Sequence, residues 1–201
     1  MSRVTDATKK TITETALKMF IEESISKVRL YDIAAKADVG EATIYRHFGN
    51  KQNVVIAAAI ELSNSISINY LSNTDGLNGM ERIKAFYEVF LKIFSDNNYY
   101  FSFLNELDIY LLQEDFEGRD KYQDNIDSYK ELFLKDYKKG LEDGSIRKIE
   151  DIDTFYFTTT HSLISLCKKL STKKIILQDE YVDKKKEIKC LINVFLSYLK
   201  K

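Results

Sequence analysis

Proline is absent from the 201 residues and glycine contributes only seven. Little in the chain interrupts helices, and strand-like alternation is hard to find, so the expected fold is all-α. The two cysteines, Cys167 and Cys190, lie in helical-looking segments. That spacing fits buried thiols in a reducing compartment better than a disulfide or zinc framework, and neither a metal nor another cofactor is expected. No apolar run approaches the ~20 residues that span a bilayer. The N-terminal MSRVTDATKKTITETALKMF lacks the charged region, apolar stretch and small-residue cleavage site of a secretion signal, so a cytoplasmic protein without a membrane partner is expected. An excess of positive charge is missing too. The formal net charge is −1, and bulk attraction to nucleic acid calls for a basic domain. Any DNA-binding face must therefore be local. Residues 1–51 carry nine Lys/Arg against seven Asp/Glu, whereas residues 52–201 carry 21 against 24, an asymmetry of the useful sign.

What is present is helical periodicity in a chain 44% hydrophobic and 30% charged, the composition of an ordinary globular protein. Ile12, Ala16, Met19 and Phe20 predict a first helix from Asp6 to about Glu23, with Thr5 or Asp6 as N-cap. Leu30, Ile33, Ala34 and Ala37 fall at i, i+3, i+4 and i+7, which buries one stripe of a short second helix. After the break at Ala37-Asp38-Val39-Gly40 a third short segment turns Val39, Ile44 and Phe48 inward, until Gly49-Asn50 stops it and caps a fourth helix over about 51–72. Two short helices joined by a tight turn make a helix-turn-helix. The turn-rich stretch from Ser72 to Gly79 is the expected domain joint, dividing a DNA-binding domain (1–51, plus the connecting fourth helix) from a second domain (73–201). Further helices are expected at roughly 80–95, 99–113, 120–142, 152–171 and 180–200, nine in all, separated by Asp96-Asn97-Asn98, by Glu114–Gly118, by Gly144-Ser145 and by Thr172–Gln178.

The informative block is Val28-Arg-Leu-Tyr-Asp-Ile-Ala-Ala-Lys-Ala-Asp-Val-Gly-Glu-Ala-Thr-Ile-Tyr-Arg-His-Phe-Gly-Asn-Lys51. Ile33-Ala34, Ala37, Val39, Thr43-Ile44-Tyr45, His47-Phe48 and Lys51 stand in the order and spacing of the TetR family of repressors, which this block resembles over about 45 residues. Where that family usually has Gly-Val-Ser, this chain has Asp38-Val39-Gly40. Gly40 gives up a serine cap, while Asp38 tolerates a left-handed backbone. Arg29 replaces a usual threonine and Ser24 an expected glycine, so operator preference does not transfer from relatives.

A recognition helix must be short, lean on an apolar platform and present small or polar groups to base edges in the major groove; Gly40-Glu41-Ala42-Thr43 supplies that end. Tyr45, His47 and Lys51 carry polar tips suited to phosphates flanking the groove, and Arg46 suits a bidentate contact with guanine. Arg29, Tyr31 and Lys36 on the second helix are candidates for backbone contact. Each has a plainer reading. Tyr45 roofs the small core, His47 neutralises helix C-terminal carbonyls, Lys51 is a solvated charge, and Glu41, which repels phosphate, serves the helix dipole unless it accepts from a cytosine amino group.

The C-terminal part is crowded with rings, among them Phe86, Tyr87, Phe90, Phe94, Tyr99–Phe101, Phe103, Tyr129, Phe133, Tyr137 and Phe155–Phe157. The TetR resemblance implies that these helices enclose an apolar, aromatic-lined pocket, with Tyr100, Phe103, Phe133, Tyr137 and His161 as candidate contacts to a small-molecule effector; plain core is the alternative. Two apolar stripes stand out. Tyr156, Leu163, Leu166 and Leu170 form one, and Ile188, Leu191, Ile192, Phe195 and Leu199 the other; both suit the core of a single subunit. In the family the corresponding helices meet their symmetry mates, which implies a homodimer matched to the two half-sites of a palindromic double-stranded operator. The implied function is a repressor released from DNA by an apolar or aromatic ligand. The alternatives are a ligand-independent DNA-binding protein and a helical protein–protein adaptor. Catalysis is not expected, because the two histidines, His47 and His161, are far apart in sequence and no phosphate loop, triad or metal spacing is present.

Overall fold

The computed structural model describes residues 3–70, 74–96, 98–112, 119–172 and 181–201. Nine helices account for nearly all of them: α1 (Arg3–Glu22), α2 (Leu30–Lys36), α3 (Glu41–Phe48), α4 (Lys51–Tyr70), α5 (Gly79–Asp96), α6 (Asn98–Leu112), α7 (Arg119–Glu142), α8 (Ile152–Ser171) and α9 (Lys184–Leu199). The only extended pairing among the described residues is an isolated antiparallel bridge between Ile146 and Lys200. The expected breaks at Ser72-Asn73, Asn97, 114–118 and 173–178 lie outside the described residues. No helix among them is long and apolar enough to cross a membrane.

Two starts differ from expectation. Thr5 and Asp6 are not N-caps, because α1 already begins at Arg3; Asp6 sits inside its first turn, where a carboxylate complements the positive end of the helix dipole. The last helix begins at Lys184 rather than near 180, because the Asp183 carboxylate captures the N–H groups of Lys185 and Lys186 (2.9 and 3.1 Å) and caps the helix there.

The chain forms two compact units. The first takes residues 1–65 and 102–125, and the second residues 66–101 and 126–201, so α4, α6 and α7 each contribute to both. Residues 102–125, beyond the expected joint, thus cluster with the first unit. Ile12, Ala16, Phe20, Ile25, Val28, Ile33, Ile44, Val54, Val55 and Leu107 fill its core and are almost wholly shielded. Ile12, Ala16, Phe20, Ile33 and Ile44 are positions of the helical stripes, and burying each of the larger side chains contributes on the order of 1.5–3 kcal/mol against the cost of ordering the chain.

In the second unit α9 packs on α5 and α8 around a cluster of aromatic rings. Phe133 meets Phe86, Tyr87 and Tyr156 at centroid distances of 5.3, 5.9 and 5.1 Å, and Phe195 of α9 lies 5.7 Å from Tyr87. Tilted and edge-on geometries of this kind suit the ring quadrupoles. The start of α5 is fixed by a capping box, with Asn78 Oδ1 accepting from Glu81 N–H and the Glu81 carboxylate accepting from Asn78 N–H, both at 2.9 Å. The next two donors go to the α7–α8 connection, Gly79 N–H to Asp143 (2.7 Å) and Met80 N–H to Ser145 Oγ (3.1 Å). The backbones of Gly79 and Gly140 approach so closely that a methyl group on Gly79 would collide with Gly140.

Candidate nucleic-acid interface

The sequence builds α2, the turn and α3 from local signals. Backbone donors of Ala37 and Val39 return to Ile33 and Ala34 (2.9 and 3.0 Å), closing the end of α2. Asp38 turns the chain at φ 53°, the left-handed conformation that short polar side chains tolerate best after glycine. Gly40 then caps α3 without a side-chain hydrogen bond, as its lack of a hydroxyl requires. The first turn of α3 closes through Thr43 N–H to Gly40 C=O at 2.8 Å. Gly49 stops α3 at φ 77° with its N–H on Tyr45 C=O. Asn50 accepts from Asn53 N–H (2.9 Å) and Asn53 Nδ2 donates to Phe48 C=O (2.7 Å), stapling the end of α3 to the start of α4.

This turn chemistry leaves α3 with two unlike faces. Ile44 and Phe48 are buried in the domain core. Glu41, Ala42 and Arg46 are exposed, Tyr45 keeps half its surface in solvent, and Thr43 and His47 are half-buried at the margins. Gly40 is exposed at the head of the helix. On α2, Tyr31 is the most exposed aromatic group at 66%. Arg29 lies 3.4 Å from Asp32, whose carboxylate also accepts its backbone N–H, and Lys36 lies 3.4 Å from Glu22. Both cations would have to leave a carboxylate to reach a phosphate. Lys51, the first residue of α4, is half-buried, and desolvation holds its pKa below the ordinary lysine value. Lys9 of α1, absent from the sequence candidates, brings its ammonium to 5.6 Å from the Phe48 ring centroid and adds positive charge beside α3. Its place on the outward face of a helix gave no signal of this, since the contact is made across the domain.

Residues 12–58 match the model of the family "Bacterial regulatory proteins, tetR family", a span that runs from the core of α1 into α4 and encloses every interface candidate named on α2 and α3. That match covers about a quarter of the chain. The Transposon Tn10 TetC protein of Escherichia coli is 27% identical over 92 residues, a match covering 46% of this chain and 47% of TetC. The chain thus spans about half the length of the curated relative it matches. Similar solved structures share the fold over nearly the whole chain. A putative TetR-family transcriptional regulator from Rhodococcus sp. has a TM-score of 0.71 at 15% identity, covering 94% of this chain and 99% of that one. FadR from Bacillus subtilis, solved with stearoyl-CoA, has a TM-score of 0.70 at 15% identity over 94% and 98%. The fatty acid degradation regulator FadR from Bacillus halodurans has 0.68 at 20% identity over 95% and 99%. The fold is that of these solved structures, with α2 and α3 forming a helix-turn-helix.

The five effector candidates are divided between the two units. Phe103 is buried in the first unit, whereas Tyr100, Phe133, Tyr137 and His161 belong to the second. Phe133 is fully enclosed by neighbouring rings. The Tyr137 hydroxyl accepts from Ile149 N–H at 2.7 Å, Tyr100 packs edge-on against Phe101, and His161 is exposed on α8 beside Phe157. Tyr156, Leu163, Leu170, Ile188, Ile192 and Leu199 are buried within the single chain, while Leu166, Leu191 and Phe195 are half-buried. Their stripes serve the core between α5, α8 and α9. What α8 and α9 leave exposed is a different set: Phe157 and His161 on α8, and Cys190, Val194 and Tyr198 on α9. An apolar stripe in sequence announced burial without saying against what.

Proposed function

We propose that this protein is a TetR-type transcriptional regulator that binds a palindromic double-stranded operator as a homodimer and represses transcription until a small apolar or aromatic effector releases it. The observation that carries DNA binding is the two-faced α3. Its buried Ile44 and Phe48 fix the helix, and its exposed Glu41, Ala42, Tyr45 and Arg46 stand free on the other side. Thr43, Tyr45, His47 and Lys51 contact phosphates, setting register, and Arg46 reads a guanine edge. Arg29, Tyr31, Lys36 and Lys9 add backbone contacts at the margin. One domain covers one half-site, and two half-sites one turn of B-DNA apart, ~34–36 Å, require a twofold dimer. The exposed Phe157, Val194 and Tyr198 on α8 and α9 supply apolar surface for that contact.

Effector release follows if ligand binding changes the tilt of α4, whose 20 residues extend about 30 Å. A coupling of ~1–3 kcal/mol lowers operator affinity roughly 5- to 150-fold, and linkage lowers effector affinity in the presence of operator by the same factor. The similar fold of a FadR solved with stearoyl-CoA makes long acyl chains, the apolar part of that ligand, a first class to screen.

Footprinting on the DNA flanking the protein's own coding region tests the reading. Protection of a palindrome, lost in Tyr45→Ala or Arg46→Ala, is expected. Uniform protection along the DNA, or none at low salt, overturns it.

A further inference from the structure

The second half of α6 clusters with the DNA-reading helices, and two of its side chains meet that domain. Glu106 Oε2 accepts the backbone N–H of Ile25 at 2.9 Å in the α1–α2 turn. This amide directly follows Ser24, whose φ of 144° is a conformation that residues other than glycine rarely adopt. A carboxylate on a backbone donor is a strong, directional anchor, so it fixes α6 against the turn. Tyr110 lies four residues further along α6 and so on the same face as Glu106. Its ring centroid is 5.9 Å from the ammonium of Lys51.

Lys51 is poorly provided for by its own helix. It stands at the N-terminus of α4, the positive end of the dipole, and the first turn of α4 holds no acidic residue. Half-burial adds a desolvation cost that disfavours its charged form. The negative face of the Tyr110 ring offsets part of this. A phosphate would offset it better, and it would draw the ammonium away from the ring.

We propose that Tyr110 is a positioning residue for DNA binding: it holds Lys51 against α6 in the DNA-free protein, and DNA gains the lysine only by taking it from the ring. The proposal rests on the reading of Lys51 as a phosphate clamp. Its signature is the sign of the effect. A tyrosine that merely shapes the domain loses DNA affinity when removed, whereas one that competes with phosphate raises affinity when removed. Glu106 keeps the ring at the right height, so the competition is built into α6.

The test uses the full chain and a mixed-sequence duplex of about 30 base pairs, three turns of B-DNA, because phosphate contacts are independent of sequence. Binding is followed by fluorescence anisotropy over a range of salt concentrations for wild type, Tyr110→Leu, Tyr110→Phe, Lys51→Gln and the double variant Lys51→Gln/Tyr110→Leu. Tyr110→Leu is expected to bind about 2- to 5-fold more tightly per subunit, the scale of a partly exposed cation–ring contact. Tyr110→Phe keeps the ring and stays at the wild-type affinity. Lys51→Gln lowers the salt slope by about 0.9 per subunit, and Tyr110→Leu adds nothing in that background. The proposal is overturned if Tyr110→Leu weakens binding or leaves it unchanged, or if it tightens binding equally without Lys51. A wild-type protein that binds no duplex at low salt would instead remove the DNA-binding reading. A salt slope unchanged by Lys51→Gln would remove the clamp role alone, and in both cases the competition falls with it.

Discussion

Single residues carry the departures from the family pattern, and each has a conformational consequence. Asp38 adopts the left-handed turn at φ 53° that its short carboxylate tolerates. Ser24 stands where a glycine was expected and holds φ 144°, so its side chain is strained where glycine would not be. Strain of this kind costs of order 1–3 kcal/mol. Ser24→Gly is therefore expected to raise stability by about 1 kcal/mol, less than the full strain because glycine loses more entropy on folding. The check is the urea midpoint at constant slope. An unchanged or lower midpoint would show that the Glu106 contact to Ile25 already compensates the turn.

At the scale of elements, helix ends tie distant segments together. Asp143, in the connection after α7, accepts from Gly79 N–H at the head of α5 and from Ser145 N–H (2.9 Å). Hydrogen bonds from the Ser145 side chain, then from Gly79 and Ser145 backbone donors, hold its carboxyl below the ordinary 3.8. Asp151, the N-cap of α8, is lowered in the same way by Thr154 N–H. A carboxyl with a lower pKa in the folded than in the unfolded chain stabilises the fold above the unfolded value, and that stability is lost as pH falls through the folded value. Wild-type stability should therefore drop as the pH is taken below about 4. Asp143→Asn should drop less steeply over that window, as seen in thermal melts at stepped pH. Equal slopes would mean that Asp143 is no better hydrogen-bonded in the folded state. The close approach of Gly79 to Gly140 explains why these caps can reach across, since a side chain at Gly79 would push α5 from α7, and one at Gly140 would displace Ile146 of the α7–α8 connection.

For the whole molecule, the unanswered surface is the outer face of α8 and α9. The single chain uses Ile188, Ile192 and Leu199 for its own core but leaves Val194 and Tyr198 more than half exposed. Tyr198 stacks on Phe155 at 5.6 Å and carries the Arg147 guanidinium 4.0 Å above its ring, a rigid apolar patch with a polar rim. If two copies pair through this face, Val194→Glu with Tyr198→Glu gives a folded monomer, because the charges face water once the copies separate. Ile188→Glu instead unfolds the chain by burying an unpaired carboxylate. Sedimentation with circular dichroism distinguishes these outcomes. A double variant that still sediments as a dimer would place the interface elsewhere.

The sequence by itself determined the helix-turn-helix, because its signals are local. A turn at Ala37–Gly40, a stop at Gly49, a cap at Asn50 and apolar positions one helical turn apart act within one or two turns of the chain. The same reading found the helices of the second unit to within a few residues, and it placed Thr43, Tyr45, Arg46 and Lys51 on one short segment. Tertiary structure alone decided what each apolar stripe packs against. Leu163, Ile192 and Leu199 look alike in sequence whether their partner is their own chain or a second copy, because apolar burial has no direction. It also decided that the Phe133 ring is enclosed, that His161 is exposed, and that Glu106 and Tyr110 of α6 meet Ile25 and Lys51. Contacts between residues so far apart in the chain leave no periodicity to read. They exist only once the helices have packed, since the free energy that forms them belongs to the assembled core rather than to any one segment.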